Sequence, residues 1–287
     1  MMTILQSKRA LKFVASSLLT GSVLISSPTH AAAQAASSAE PTENAQVTTE
    51  AAPLLSTPDL RQEQPCAGHP LKGSPCSVHG LFSNAWTEAK QFGHGLKDAP
   101  RASVRPRNLE WELPILAATG VLIAKVDRPA DNRIQSKSLQ QTAGQWSNVG
   151  LGLEIGSAAL AYGLGCGKHH AYLRDSGFKA LAAMGAAGTV NLALKLAFDR
   201  QFPYTPGSTG KFWGGGRSFP SGHSATSFAF AAMVAHRYPH KRWVKWGAYT
   251  LATGVALSRY PAKKHYPSDI LMGATLGYVT GTYLAEH

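Results

Sequence analysis

The sequence has few acidic residues and lacks any dense tract of basic ones. Its 287 residues include 16 Asp and Glu against 28 Lys and Arg, a formal net charge of +12. Such a balance attracts nucleic acid, anionic membrane surfaces or phosphorylated small molecules. The basic residues are scattered along the chain, and no nucleic-acid-binding module is present. We therefore expect no nucleic-acid partner, and the charge is compatible with an anionic membrane surface or a phosphorylated small molecule.

Metal motifs and a cysteine framework are also missing. The chain contains neither HExxH nor a carboxylate cluster suited to Mg²⁺ or Zn²⁺, so no motif points to a metal or a cofactor. Three cysteines define no disulfide framework. In an oxidising compartment Cys66 and Cys76 could pair across CAGHPLKGSPC, which leaves Cys166 over; three unpaired thiols are the alternative.

The N-terminal region predicts export. Basic residues precede a short apolar stretch at 13–25, which is followed by the small-residue run THAAAQA. The stretch is shorter than the roughly 20 residues of a membrane span, so residues 1–31 favour a cleavable signal peptide. Residues 32–57 are rich in Ala, Ser, Thr and Glu and predict a disordered linker. We expect a periplasmic or envelope-associated protein, with an integral inner-membrane location as the alternative.

The rest of the chain predicts an all-α domain. Residues 58–107 form an irregular segment with one helix near 81–92, and residues 108–287 form the helical domain. Six apolar segments in that domain are rich in Ala and Gly and poor in alternating β-branched residues, which favours helices. These segments are 113–124, 155–164, 180–194, 225–235, 247–257 and 270–285.

Segment length and glycine spacing indicate how the helices pack. Each apolar segment has about 10 to 16 residues, shorter than a usual membrane span, so we expect extraction without detergent. Gly152 and Gly156 lie four residues apart, as do Gly273, Gly277 and Gly281. Small residues at this spacing allow helices to approach closely, in a soluble bundle as in a membrane.

The stretch SFPSGHSATSFAF predicts a helix start that attracts anions. Pro220 suits the first turn, Ser221 is a natural cap, and Gly222 permits close approach to the backbone. The free N–H groups at such a helix start attract an anion, and His223 would lie beside it.

A second cluster lies in SRYPAKKHYPSDILMG. Arg259, His265 and Asp269 occur at spacings of six and four, and Pro267 predicts a helix start between the last two. A carboxylate in that first turn can accept one imidazole N–H and leave the other nitrogen free as a nucleophile. Lys195, at the end of an apolar segment, could extend to solvent or stabilise an oxyanion.

These stretches resemble the signature of the type 2 phosphatidic acid phosphatase superfamily, which includes bacterial acid phosphatases and vanadium haloperoxidases. That signature reads Lys, six residues, Arg-Pro; then Pro-Ser-Gly-His; then Ser-Arg, five residues, His, three residues, Asp. The second part is present at 220–223, and the third at Ser258, Arg259, His265 and Asp269. The resemblance implies a six-helix core bundle of the phosphatase and haloperoxidase type.

The resemblance also implies a role for each residue. His265 would attack phosphorus and become a phosphohistidine, and Asp269 would orient it. His223 would protonate the leaving oxygen and then activate water. The phosphoryl oxygens would be held by Lys195, Arg259, Ser221 and the Gly222 amide.

The first part of the signature is incomplete, because Phe202 stands where the resemblance implies Arg. Arg200 is a candidate substitute, but on a continuing helix it would lie roughly 140° away from Lys195. We therefore expect Arg200→Ala to cost little. If the loop is irregular, Arg200, Lys211 or Arg217 could bind the phosphate instead.

Together these features predict a metal-independent phosphatase that hydrolyses phosphomonoesters or lipid phosphates through a phosphohistidine. One alternative is a vanadate-dependent haloperoxidase, although those usually have longer chains. A second alternative, raised by Phe202, is a weakly active relative that binds phosphate or lipid.

Overall fold

The computed structural model describes residues 71–103, 106–128 and 133–286, and these residues form helices and their connections, with no strand among them. The predicted signal peptide, the linker and Cys66 lie outside the described residues. The helices are α1 Val78–Ser103, α2 Pro106–Val121 with a π-helical extension at Leu122–Val126, α3 Lys137–Gly167, α4 Ala171–Phe198, α5 Gly222–Arg237, α6 Arg242–Ser258 and α7 Pro267–Glu286.

The all-α prediction is confirmed for this part of the chain. Each of the six apolar segments lies on one of α2 to α7, the first one extending into the π-helical turns. The helix predicted near 81–92 lies within α1. The helix starts follow local chemistry: the side chain of Ser136 caps α3 and that of Ser221 caps α5. Pro267 is the first residue of α7, where its missing N–H removes no helical hydrogen bond.

The core is centred on α5, which packs against α4, α6 and α7. Ala225 and Ala229 on α5 are fully buried. A Cβ atom on Gly277 would lie 2.0 Å from the Ala225 carbonyl oxygen, and one on Gly281 would lie 2.5 Å from that of Ala229. The glycine stripe of α7 therefore brings two helix backbones into direct contact, as its spacing predicted.

The other glycine pair does not have this role. A Cβ added to Gly152 or Gly156 on α3 would meet no atom of the described residues within 4 Å. The close contact between α3 and α4 is made instead by Gly177, whose Cβ would lie 2.4 Å from the Ala158 carbonyl oxygen. The prediction from Gly152 and Gly156 was wrong because four-residue spacing places two glycines on one face without specifying whether that face is covered.

A disulfide joins Cys76 to Cys166, with the Cα atoms 5.6 Å apart. It links the segment before α1 to the last turn of α3. Both alternatives from the sequence, a Cys66–Cys76 pair and three unpaired thiols, are therefore wrong, since Cys76 has a partner 90 residues away. Closeness in sequence did not predict the disulfide, because the pairing depends on which segments pack together in the fold.

Helices α3 and α4 are longer than their apolar segments. They have 31 and 28 residues, and each includes an 18-residue window apolar enough to cross a membrane, of which 22% is buried. On α3, Trp146, Leu153 and Leu160 are all more than half exposed. The expectation that every helix is too short to span a membrane is wrong for these two. Isolated polar residues such as Glu154 interrupt the apolar pattern without ending the helix.

Candidate active site

Four helix ends meet at one place and bring the predicted site residues together. Lys195 lies in the last turn of α4, His223 in the first turn of α5, and Arg259 is the C-cap of α6. His265 precedes α7, and Asp269 lies in its first turn. The Ser221 N–H donates to the Asp269 carbonyl oxygen at 2.9 Å, which joins the starts of α5 and α7. Stretches separated by up to 74 positions in the sequence thus form one cluster.

His265 is buried and has two possible acceptors for its Nδ1–H. The carbonyl oxygen of Ser218 lies 2.8 Å from Nδ1, and the Oδ2 of Asp269 lies 3.7 Å from the same atom. Nδ1 therefore donates to Ser218, with the Asp269 carboxylate alongside, and Nε2 keeps its lone pair. The sequence pointed to Asp269 as the orienting group; the structure adds a backbone carbonyl as the nearer acceptor. Burial lowers the pKa of His265, and Asp269 opposes this effect.

Asp269 is a fully buried carboxylate with many donors. Its Oδ1 accepts from Arg200 Nη1 at 2.5 Å, and its Oδ2 accepts from the Ser218 hydroxyl and from the Tyr266 N–H at 3.0 Å. Burial would raise the pKa of Asp269, but His265 and Arg200 outweigh it and hold that pKa below its usual value. Asp269 is therefore charged at neutral pH.

His223 hydrogen-bonds to a residue that no motif identified. Its Nε2 lies 3.0 Å from Oδ1 of Asn148, which is on α3. Burial, reinforced by the positive charge of Arg259, lowers the pKa of His223 to about 4. His223 is therefore neutral at pH 7 when the site is empty. A polar Ser-Asn pair inside the apolar α3 was the signal in the sequence that could have identified Asn148.

The two cations of the site are held in different ways. Arg259 is buried and donates from Nη1 to Ser147 Oγ at 2.7 Å, while its buried Nε has no acceptor among the described residues. Burial lowers the pKa of Arg259 to about 10, so it stays protonated at neutral pH. Lys195 donates from Nζ to the carbonyl oxygen of Arg217, on the loop before α5. Lys195 thus lies against the start of α5, and Arg259 is close enough to His223 to help lower the pKa of that histidine.

The start of α5 has the predicted cap. Ser221 is buried and its hydroxyl accepts from the Ser224 N–H. A Cβ on Gly222 would lie 3.2 Å from Asn191 Oδ1, so glycine here allows a side chain of α4 to approach the backbone. The first N–H groups of a helix have no intrahelical acceptor and can bind an anion.

Arg200 does not lie where either sequence-based expectation placed it. Helix α4 ends at Phe198, and Asp199 adopts a left-handed conformation with φ of 42°, so helical phase does not apply to Arg200. Its guanidinium is buried behind Asp269 and donates to Asp269, Ser268 and Asp127. The expectation that Arg200 binds the phosphate is therefore corrected: it binds the carboxylate of Asp269, which lies beside His265. This removes the reason to expect a mild Arg200→Ala variant.

Phe202 lies beside His265. Its ring centroid is 6.1 Å from that of His265 and 5.9 Å from Lys195 Nζ, and it stacks on Tyr204 at 5.0 Å. An aromatic ring thus occupies the side of the site where the resemblance implied a guanidinium. Lys211 and Arg217, the other suggested substitutes, have exposed side chains.

Comparison with known proteins agrees with the motif positions. Residues 176–286 match the model of the PAP2 superfamily. A lipid A 1-phosphatase from Porphyromonas gingivalis is 38% identical over 65 residues, so the match covers 22% of this chain and only 15% of that protein. A crystal structure of a transmembrane PAP2 type phosphatidylglycerolphosphate phosphatase from Bacillus subtilis has a TM-score of 0.43 and 22% identity, covering 60% of this chain and 92% of that one. Asn148, Ser147 and Asp127 lie outside the matched region.

Proposed function

We propose that the chain is a PAP2-type, metal-independent phosphatase acting through a phosphohistidine, a proposal supported by the match of residues 176–286 to the PAP2 superfamily model. The observation that carries the proposal is the convergence of His265, His223, Arg259 and Lys195 on the start of α5. The site offers a nucleophile, a proton-transfer group and two cations for a phosphoryl group.

In the first step, His265 Nε2 attacks phosphorus and the bond to the leaving oxygen breaks. Donation from Nδ1 to Ser218 supports this role, because it leaves the Nε2 lone pair free. His223 supplies the proton for the leaving oxygen. Because its pKa is about 4 in the empty site, this proton enters with a monoanionic phosphate or is taken up as the phosphate dianion binds.

In the second step, water attacks the phosphohistidine and the P–N bond breaks. The now neutral His223 accepts a proton from that water, and inorganic phosphate leaves. Arg259, Lys195 and the first N–H groups of α5 stabilise the charge on the phosphoryl oxygens in both steps. The buried Arg259 Nε, for which the described part of the chain supplies no acceptor, supports this arrangement, since an unpaired buried donor is costly until an anion binds.

We also propose that the substrate is a lipid phosphate and that the protein is located in the cell envelope. Helix α3 exposes many large apolar side chains, and both α3 and α4 are long and apolar enough to cross a bilayer. The disulfide between Cys76 and Cys166 is typical of an exported protein. The lipid A 1-phosphatase relative supports the same substrate class. We therefore propose that the protein is extracted from the envelope only with detergent, in place of the expectation that it is extracted without detergent.

The test is an assay of the detergent-purified protein against phosphatidate, a polyprenyl pyrophosphate and soluble phosphomonoesters, with and without EDTA. We expect lipid phosphate to be preferred, EDTA to have no effect and vanadate to inhibit. Acid-labile phosphate should be trapped on the wild type and be absent from His265→Gln. Full activity in His265→Gln, dependence on Mg²⁺, or vanadate-dependent halide oxidation in place of hydrolysis would overturn the proposal.

A further inference from the structure

We infer that Arg200 and Asp127 are positioning residues that hold Asp269 beside His265 and set the charge that this histidine experiences. The inference deepens the proposed function, because it assigns a task to two residues that do not contact the phosphate site. Asp127 lies next to the π-helical turns Leu122–Val126, outside every motif found in the sequence.

Asp127 is buried and anchors two parts of the site. Its Oδ2 accepts from Arg200 Nη2 at 2.7 Å and from the Ser268 hydroxyl at 2.6 Å. Its Oδ1 accepts from the Ser268 N–H at 3.1 Å. Because Ser268 precedes Asp269 in the first turn of α7, Asp127 caps the helix that presents the catalytic carboxylate.

All three nitrogens of the Arg200 guanidinium donate to protein acceptors, so we assign Arg200 no role in binding substrate. Its Nη1 donates to Asp269 and to the Ser268 hydroxyl, and its Nε donates to the Gly210 carbonyl oxygen at 3.1 Å. The guanidinium carbon lies 4.3 Å from the ring centroid of Tyr266 and 4.9 Å from that of Phe212. A planar guanidinium packed between rings keeps its orientation, which fixes the position of Asp269.

The network contains two carboxylates and one guanidinium, so Arg200 divides its positive charge between Asp269 and Asp127. Removing the charge of Asp127 makes the surroundings of His265 more positive and lowers the pKa of His265. Removing the charge of Arg200 makes the surroundings more negative and raises that pKa. The other charged or titratable groups that face His265 are Lys195, His223 and Arg259, and neither substitution alters them.

The test compares Asp127→Asn with Arg200→Gln in the full-length protein in detergent. The His265 ring is titrated by NMR in the absence of substrate, with its signal assigned from His265→Gln. We expect the midpoint to move by about one pH unit to lower pH in Asp127→Asn and to higher pH in Arg200→Gln. The control is Asp175→Asn, a buried carboxylate paired with Arg174 at the start of α4, which should leave the midpoint unchanged.

The hydrolysis of p-nitrophenyl phosphate is a second readout. We expect kcat to fall at least tenfold in Arg200→Gln, with partial recovery in Arg200→Lys, and the pH profile to move in the same directions as the NMR midpoints. Since the titration needs no turnover, it tests the network even if the protein hydrolyses none of the phosphate esters. Should Arg200→Gln not fold, the midpoint of Asp127→Asn and the kcat of Arg200→Lys, which keeps the positive charge, decide. An unmoved midpoint in folded Asp127→Asn or Arg200→Gln, or midpoints of these two variants moved in the same direction, would overturn the inference.

Discussion

Replacing Phe202 by arginine tests how much kcat/KM the site loses because it has an aromatic ring in place of a guanidinium. The ring lies close to both His265 and Lys195, 6.1 Å from the His265 ring and 5.9 Å from Lys195 Nζ. A guanidinium at this position could reach the same phosphoryl oxygens as Lys195. It would also lose the stacking of Phe202 on Tyr204.

The balance of energies predicts a faster but less stable enzyme. Charge-assisted hydrogen bonds to phosphoryl oxygens contribute typically about 1.5–3 kcal/mol each. Two unit charges about 6 Å apart repel by about 3 kcal/mol at an effective dielectric constant of about 20. In the empty site nothing offsets this repulsion, whereas a bound phosphate dianion attracts both cations. We expect a net gain near 1.4 kcal/mol in the transition state, roughly tenfold in kcat/KM, with a lower unfolding temperature.

The assay measures kcat/KM and thermal unfolding for wild type, Phe202→Arg and Phe202→Met. The methionine variant is the matched control, because it removes the ring without adding a charge. We expect Phe202→Arg to exceed both other proteins in kcat/KM and to be stabilised most by added vanadate. A folded Phe202→Arg protein with kcat/KM no higher than that of Phe202→Met would refute the reasoning.

Three further predictions follow from the helix contacts and the titrating groups. Asn148→Ala removes the partner of His223 Nε2 and should lower kcat/KM about tenfold; Asn148→Asp should move the pH profile to higher pH, because a carboxylate raises the pKa of the histidine. An unchanged profile in Asn148→Asp would contradict this. The pKa of His223 is lowered from 6.5 to about 4 on folding, so its neutral form stabilises the protein fully above pH 6.5, and that stability is lost as pH falls towards 4. His223→Asn should therefore lose less stability than the wild type over this range, as measured by denaturation at several pH values. Equal losses in the two proteins would show that the buried His223 does not cause this pH dependence. Gly277→Ala places a Cβ 2.0 Å from a carbonyl oxygen of α5 and should destabilise by several kcal/mol, on the order of the larger overpacking effects. In Gly152→Ala the added Cβ meets no atom of the described residues within 4 Å, so this variant should be neutral or stabilising by about 0.5–1 kcal/mol. Similar unfolding temperatures for Gly277→Ala and Gly152→Ala would contradict the packing described for α7.

Local sequence features were enough to predict the helices and most of the residues that lie at the site. Apolar segments without β-branched alternation predicted helices α2 to α7, because helix formation depends on neighbouring residues in the chain. Ser221 caps α5 and Pro267 begins α7 because both act through the backbone within one turn. The spacing of Arg259, His265 and Asp269 pointed to a common site for the same reason, since all three lie in one connection and the helix ends beside it.

Contacts between distant segments were decided only by the tertiary structure. Arg200 was assigned to the wrong face because the left-handed Asp199 ends α4 four residues after Lys195, and no spacing rule foresees where the chain then turns. The partner of Cys76, the Ser218 carbonyl beside His265 and the placement of Asn148 against His223 join residues 47 to 90 positions apart. Such pairs depend on how whole helices pack, and that packing is a sum of many weak contacts that no single local pattern encodes.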